Sequence, residues 1–201
     1  MSERLARTRH FARRLIQLYG GLFLFGFAAA LMLRAGFGVD PWTVFAEGLS
    51  HHTGIGVGWM VLIIGLCVLV LWIPLRQMPG VGTVFNALLV GPSMEVGLWL
   101  IETPDSVVLR AIMFATGLLM TAIASGFYIG AGFGPGPRDG LMTGANARFG
   151  WPIWIVRTTI EVVVVTIGWL LGGSVGVGTL VFALTIGPLV QPALRALRTP
   201  R

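Results

Sequence analysis

The stretch Gly132-Phe133-Gly134-Pro135-Gly136-Pro137-Arg138-Asp139-Gly140, together with an earlier copy of it, decides the fold. The copy reads Gly36-Phe37-Gly38-Val39-Asp40-Pro41-Trp42, and each residue lies 96 positions before its counterpart. Glycine and proline at this density disrupt helices and strands, so both stretches are predicted to be connectors. Lipid cannot satisfy the amides of an irregular backbone. Connectors inside an apolar chain must therefore line a cavity or pack against protein.

The composition around these connectors is that of a membrane protein. The 201 residues are 55% hydrophobic and 11% charged, with a mean hydropathy of +0.85. We therefore expect one membrane domain over residues 1–201, with the lipid bilayer as its first partner. The net charge of +6 comes from arginines at the chain ends and segment boundaries. That placement is typical of membrane topology and does not predict a nucleic-acid partner.

Apolar runs predict an all-α protein with six transmembrane helices. Their approximate bounds are 15–33, 57–73, 82–101, 109–131, 152–171 and 178–197. A short helix is expected in the first connector, from Pro41 to about Ser50, with Asp40 as its N-cap. Both termini are predicted to be cytoplasmic, because the basic tail, Arg76, Arg138 with Arg148, and the C-terminal arginines then share one side.

The copy of the connector belongs to a longer internal repeat. Residues 36–92 align with 132–188 without a gap, and 17 of the 57 pairs are identical. We place repeat 1 at about 15–102 and repeat 2 at about 108–198. Each repeat holds three spans, an odd number, so the two are predicted to be inverted relative to each other. This construction is common in transporters and channels, although a duplicated module that serves only packing is the alternative.

The third helix of each repeat is predicted to be broken, at Gly91-Pro92 and at Gly187-Pro188, because proline removes an amide donor. Matched breaks point to a binding site near the membrane midplane, although a simple packing kink is the other interpretation. Glu95 and Gln191 follow the breaks at the same repeat position, and Asn86 precedes the first. A carboxyl within a span usually faces a cavity or a partner, but Glu95 has the alternative of reaching the outer surface.

Charged residues in the connectors and in the fifth span offer further candidates. Asp40, Arg138 and Asp139 stand at the starts of two short helices, where free amides attract an anion. Alternatively, the two aspartates cap those amides themselves, or Arg138 and Asp139 form a solvated pair. Arg157 and Glu161 are four residues apart and can pair on one helix face, an arrangement that is interpreted here as structural.

The sequence contains no signature of an enzyme. It has no HExxH, GxSxG, Walker A or CxxC pattern, and its one cysteine, Cys67, excludes an intramolecular disulfide and a cysteine metal site. We therefore predict neither catalytic activity nor a cofactor, and no metal site.

These motifs resemble those of a known family. GFGxxP, a GxGT turn, the string Gly134 to Met142 and a later IGP are similar to the YczE/YyaS-like bacterial integral membrane proteins, within the wider YitT-like group. The resemblance covers about residues 15–195. It implies a bacterial plasma-membrane location and a duplicated multi-span fold, and it implies no particular activity.

The leading functional hypothesis is a transporter or channel for a small solute. The alternative is a non-transporting accessory or regulatory protein that binds another membrane protein, since small residues also let helices of partners approach closely. A homodimer is compatible with either function. The predicted solute-binding residues are Asp40, Asn86, Gly91, Pro92, Glu95, Arg138, Asp139 and Gln191.

Overall fold

The computed structural model describes residues 2–197, with side chains from residue 11 onward. These residues form eight α-helices: α1 (Ser2–Ala35), α2 (Pro41–Thr53), α3 (Val57–Leu71), α4 (Val81–Leu100), α5 (Val107–Gly130), α6 (Pro137–Phe149), α7 (Ile153–Leu170) and α8 (Val177–Leu197). No strand occurs in this range, so the prediction of an all-α fold is confirmed for it. The C-terminal arginines Arg198 and Arg201, used above for topology, lie outside the described residues.

Five helices of the described chain are long and apolar enough to cross a membrane: Phe11–Ala35 of α1, and α4, α5, α7 and α8. The second predicted span, 57–73, is the 15-residue α3. A helix of that length extends about 22 Å, less than the roughly 30 Å of bilayer hydrocarbon. It counts as a sixth span only when joined to α2, from which it is bent by 112°.

The 96-residue repeat is visible in the backbone. α2 and α6, α3 and α7, and α4 and α8 begin at positions 96 residues apart. The glycines with positive φ angles match as well. Their pairs are Gly36 and Gly132 (70° and 72°), Gly38 and Gly134 (99° and 118°), and Gly54 and Gly150 (73° and 71°). Side chains rarely adopt these angles, so the shared glycines preserve the same two turns in both repeats.

The predicted breaks at Gly91-Pro92 and Gly187-Pro188 are wrong, because α4 and α8 stay helical through both. A proline inside a helix removes one hydrogen bond and disturbs one carbonyl, and the remaining bonds of a 20-residue helix hold it together. Neighbouring helices in a membrane protein also compensate for the missing bond. Within residues 2–197 the irregular backbone is therefore confined to the connectors and turns.

α1 and α5, the first helices of the two repeats, pack antiparallel. Arg14, near the start of the apolar segment Phe11–Ala35 of α1, donates from Nε to the carbonyl of Ala131 at the end of α5, over 2.8 Å. Arg110 near the start of α5 donates in the same way to Ala35 at the end of α1, over 2.7 Å. The two arginines are 96 residues apart. Each therefore anchors the connector of the opposite repeat, and the connectors lie at opposite ends of the α1–α5 pair.

The other helices surround this pair. α4 packs on α1 and α8 on α5, whereas α3 packs on α4. α2 lies between α3 and α7, and α6 also contacts both of them. Each connector meets the start of the opposite repeat's third helix, where Gly82 N donates to Phe133 O over 3.0 Å and Gly178 N to Phe37 O over 2.7 Å. This arrangement brings the first turns of α2 and α6 together in the interior.

Candidate functional site

A cavity of about 360 Å³ lies between the two repeats. Twenty of its lining residues form ten pairs separated by 96 positions, so each repeat supplies equivalent walls. The pairs are 25/121, 29/125, 32/128, 40/136, 41/137, 42/138, 61/157, 65/161, 86/182 and 90/186. Its volume falls within the range of small-molecule sites in proteins. Five of the eight predicted site residues line it: Asp40, Asn86, Arg138, Asp139 and Gln191.

Asp40 is held by the first turn of α2. Its carboxylate accepts hydrogen bonds from the backbone amides of Trp42 and Thr43, both at 3.2 Å, and from the Thr43 hydroxyl. Arg138 Nη1 lies 3.3 Å from Asp40 Oδ1 and forms a salt bridge across the two repeats. The sequence left open whether the amides at the α2 N-terminus bind an anion or are capped by Asp40. Asp40 caps them, so no free anion site remains there.

The first turn of α6 differs chemically from that of α2. Gly136 occupies the N-cap position, so no side chain caps α6. Asp139 lies in the first turn, and the Tyr128 hydroxyl donates to its Oδ2 over 3.4 Å. Tyr128 is buried on α5 and lines the same cavity. Arg138 and Asp139 are thus neighbours in sequence that have separate partners, and they do not form the solvated pair considered above.

Two tryptophans contact the first turn of α6 beside the cavity. The Arg138 guanidinium carbon lies 5.1 Å from the centre of the Trp42 ring, a cation–π distance. Trp72 donates from Nε1 to the carbonyl of Pro137 over 3.0 Å and anchors the start of α6 against α3. The Trp42 indole Nε1 is buried and finds no hydrogen-bond acceptor among the described residues.

α7 contributes a second ion pair to the cavity wall. Arg157 Nε and Glu161 Oε1 are 3.1 Å apart, and both residues line the cavity. Their side chains are 51% and 29% exposed, so the pair is only partly enclosed by protein. Pairing at this spacing was predicted, whereas its position on the wall of a cavity shared with Arg138 was not.

The other three predicted site residues lie elsewhere. Gly91, Pro92 and Glu95 do not line the cavity, and their role as solute contacts stays a prediction. Glu95 Oε1 accepts from the Gly58 amide over 2.7 Å and from the Trp59 amide over 3.4 Å. It therefore satisfies free amides at the start of α3, to which a carboxylate is also attracted by the helix dipole.

We expect replacement of Glu95 to affect stability through this cap. Glu95→Leu leaves the two amides without their acceptor and should lower the free energy of unfolding by about 1–3 kcal/mol. Glu95→Gln keeps an acceptor oxygen, as at the repeat counterpart Gln191, and should cost less than about 1 kcal/mol. Denaturant titration in mixed micelles measures both. Equal losses for the two variants would show that the charge, and not the acceptor, stabilises α3.

Sequence reasoning missed Trp42, Tyr128, Arg157 and Glu161 as members of one site. The repeat alignment could have indicated the first two, because Trp42 is the repeat counterpart of Arg138 and Tyr128 is the repeat counterpart of Met32. Arg157 and Glu161 replace Val61 and Gly65 of the first repeat, so charge has been introduced at two equivalent wall positions. All four residues stand at positions where the aligned repeats differ, so they are found by listing the non-identical pairs as well as the identical ones.

The charges of the cavity wall are mixed, with an excess of carboxylates. Arg138 and Arg157 are each bound to one acidic partner, Asp40 and Glu161. Asp139 is the remaining carboxylate and has no salt bridge among the described residues. With every group ionised, two arginines and three carboxylates give the lining a formal charge of −1. Burial raises the pKa of Asp139, so a cation beside its carboxylate would favour the charged form. The site suits polar and cationic groups better than anions.

Comparisons with known proteins agree with the sequence motifs. A family model described as "Family of unknown function (DUF6198)" matches residues 12–194. The chain belongs to this family. An uncharacterized protein of Haemophilus influenzae is 35% identical over 170 residues, which are 85% of this chain and 78% of that protein.

Two Bacillus subtilis proteins are more distant members of the same group. The uncharacterized membrane protein YczE is 29% identical over 178 residues, covering 88% of this chain and 83% of its own. The uncharacterized protein YyaS is 24% identical over 178 residues, covering 86% and 89%. These matches confirm the resemblance to YczE/YyaS-like proteins. Together with the apolar helices, they indicate a membrane protein. No solved structure matches the chain.

Proposed function

We propose that this protein is a small membrane transporter or channel whose solute binds in the cavity between its two repeats. In this proposal α2 and α3 together act as the second of six spans, and the two repeats are inverted in the bacterial plasma membrane. The chain termini face the cytoplasm. The proposed function requires binding and movement of a solute, with no bond made or broken.

The pairing of cavity positions supports this proposal. Ten pairs of lining residues are 96 positions apart, so the cavity lies where the two repeats meet. The antiparallel packing of α1 and α5, anchored by Arg14 and Arg110, supports opposite orientations of the repeats. A central site between inverted repeats is the arrangement from which alternating access arises, because movement of one repeat against the other exposes the same site to either side.

Five side chains are proposed to contact the solute: Asp40, Asn86, Arg138, Asp139 and Gln191. The salt bridge between Asp40 and Arg138 joins α2 to α6 and holds the two short helices at a fixed separation. Asn86 and Gln191 offer amide groups from the third helices of opposite repeats. The accessory-protein alternative requires no such enclosed polar site. No observation favours it over transport, since exposed apolar helices such as α7 are expected of any membrane protein.

Solute flux into proteoliposomes tests the proposal. Four radiolabelled probes cover the charge classes: choline, glycine betaine, glutamate and glycerol. We expect uptake of at least one probe above that of empty vesicles, with the cation or zwitterion favoured by the charge of the cavity. Asn86→Leu keeps the approximate volume and removes the amide, so it should lower that uptake by about tenfold.

The control is Thr166→Val, a polar-to-apolar exchange at an exposed position of α7 that lines no part of the cavity. It should leave uptake unchanged. If no probe enters faster than into empty vesicles, the transport proposal fails. If Asn86→Leu and Thr166→Val retain the same uptake, transport occurs by a route other than this cavity.

A further inference from the structure

The two repeats differ in how their second and third helices pack. In repeat 1, Gly91 of α4 lies against the backbone of α3, so close that an added Cβ would overlap the carbonyl oxygen of Gly58. In repeat 2, no atom of the described residues lies within 4 Å of a Cβ added at the counterpart Gly187 of α8. α7 instead contacts α2 and α6, and α8 contacts α5. α3 and α4 are closed against each other, whereas α7 and α8 are separated.

The sequence of α7 explains this separation. Gly58 and Gly65, the small residues of α3 nearest α4, have the counterparts Trp154 and Glu161 in α7. Val61 has the counterpart Arg157. Helices approach closely only where small residues face each other, and a tryptophan or a charged side chain prevents it. The residues of α7 at these positions therefore account for the gap.

The gap between α7 and α8 leads into the central cavity. A second cavity of about 260 Å³ lies between these helices, lined by Pro41, Arg157, Thr158, Glu161, Phe182, Ala183, Ile186, Gly187 and Pro188. Six of these residues also line the central cavity: Pro41, Arg157, Glu161, Phe182, Ile186 and Gly187. We call this opening the α7–α8 window. Glu161 and Gly187 lie midway along their helices, so the window stands at the depth of the lipid hydrocarbon.

The chemistry inside the window selects a positive charge. The carboxylates of Asp40 and Glu161 each form a salt bridge with an arginine, whereas Asp139 forms none among the described residues. Asp139 accepts a 3.4 Å hydrogen bond from the Tyr128 hydroxyl and a hydrogen bond from the backbone of Gly136, and it interacts electrostatically with Arg138 and Arg157. A carboxylate in an enclosed apolar site is stabilised by a cationic partner. A molecule that reaches Asp139 through the bilayer must also carry an apolar part that matches the hydrocarbon around the window.

We infer that the protein binds amphipathic organic cations, which enter from the bilayer between α7 and α8. The ammonium head pairs with Asp139 in the central cavity, and the apolar chain extends past Gly187 into lipid. This inference rests on the proposed function, because it names the class of solute for the same cavity. Lateral entry follows from the window, and the sign of the charge follows from Asp139.

Binding of radiolabelled dodecyltrimethylammonium to the protein in lipid nanodiscs tests the inference. We expect saturable binding in excess of empty nanodiscs, competed by unlabelled dodecyltrimethylammonium and not by dodecyl sulfate. Gly187→Leu places a side chain in the window, where the structure has open space, and should weaken binding about tenfold or more. Asp139→Asn keeps the shape of the side chain and removes its charge, and should weaken binding to a similar degree.

The matched control for Gly187→Leu is Leu184→Trp, which adds bulk at an exposed position of α8 that lines neither cavity. Its binding should equal that of the unchanged protein. Binding that is absent, or that survives both Gly187→Leu and Asp139→Asn, overturns the inference. Flux of choline or glycerol without saturable dodecyltrimethylammonium binding refutes the inference that the solute is an amphipathic cation, and it leaves the transport proposal intact. If both variants abolish binding and no probe shows flux, entry of the cation through the α7–α8 window is supported and the transport proposal is refuted.

Discussion

Replacing Asp40 with alanine is expected to lower the free energy of unfolding by about 2–5 kcal/mol. Two losses contribute to this effect. The amides of Trp42 and Thr43 lose the side chain that caps α2, a change that typically costs about 0.5–2 kcal/mol. Arg138 loses its carboxylate partner in a site where its side chain is 24% exposed, and breaking a mostly buried ion pair is more costly still.

Asp40→Asn separates the two contributions. Asparagine is as good an N-cap as aspartate, so this variant keeps the cap and loses only the charge. We expect its destabilisation to lie between that of the unchanged protein and that of Asp40→Ala. Denaturant titration in mixed micelles, followed by tryptophan fluorescence, measures all three proteins. If Asp40→Asn is as unstable as Asp40→Ala, the salt bridge dominates and the cap contributes little.

A double-mutant cycle with Arg138→Gln isolates the ion pair. If Asp40 and Arg138 stabilise each other, the losses from Asp40→Asn and Arg138→Gln should not add in the double variant. Additive losses would contradict the salt bridge between the repeats. They would also remove the reason to expect α2 and α6 to hold a fixed separation across the cavity.

The connectors show what the sequence predicts well. The first short helix was expected from Pro41 to about Ser50 and extends from Pro41 to Thr53, because proline at the first turn and an aspartate cap determine its start. Gly54 ends it, and Gly150 ends its counterpart α6, both with φ angles that side chains rarely adopt. Turns that depend on glycine are local features. Their register in the two copies is therefore preserved in the sequence.

The prolines in α4 and α8 show where local reasoning fails. Pro92 and Pro188 each weaken a helix at one hydrogen bond, and the sequence pattern predicted a break at each. Whether a helix breaks depends on the packing around it, because neighbouring helices stabilise the remaining turns. α4 is packed between α1 and α3, and such tertiary contacts are not encoded in the dipeptide Gly91-Pro92.

Glu95 and Gln191 show why a shared register does not imply a shared role. Both stand four residues beyond the glycine of a Gly-Pro pair, yet Glu95 caps α3 and Gln191 lines the cavity. The difference arises because α3 packs on α4 through Gly58, while Trp154 replaces that glycine in α7. The residues that the two repeats share predicted a cavity between them. Their differences, which are also present in the sequence, determine which side chains enter it.

The same substitution at the two repeat-related glycines is expected to have opposite effects. In Gly91→Ala the new methyl would overlap the carbonyl oxygen of Gly58 and lie 2.9 Å from the amide nitrogen of Leu62. Backbone atoms cannot rotate away, so α3 and α4 must move apart, at a cost of about 1–3 kcal/mol. That movement also draws Glu95 away from the α3 amides it caps.

In Gly187→Ala the new methyl group has no neighbouring atom within 4 Å in the part of the chain that the structure describes. Alanine has a higher helix propensity than glycine, so this variant should be as stable as the unchanged protein or more stable by up to about 1 kcal/mol. Parallel unfolding titrations of the two variants in mixed micelles, repeated in lipid bicelles, give the comparison. Gly91 and Gly187 each precede a proline inside a helix. The gain in helix propensity from alanine is therefore the same in both variants and cancels when their changes in unfolding free energy are subtracted.

The difference between the two variants therefore reports how closely the second and third helices pack in each repeat, together with the Glu95 cap that Gly91→Ala disturbs. A large loss for Gly91→Ala beside a gain for Gly187→Ala means that repeat 1 is closed and repeat 2 is open in the membrane. A loss of similar size for both would mean that lipid drives α7 onto α8 and closes the window. In that case Trp154 and Glu161 must turn outward, and entry of an amphiphile between the two helices is no longer available to the protein.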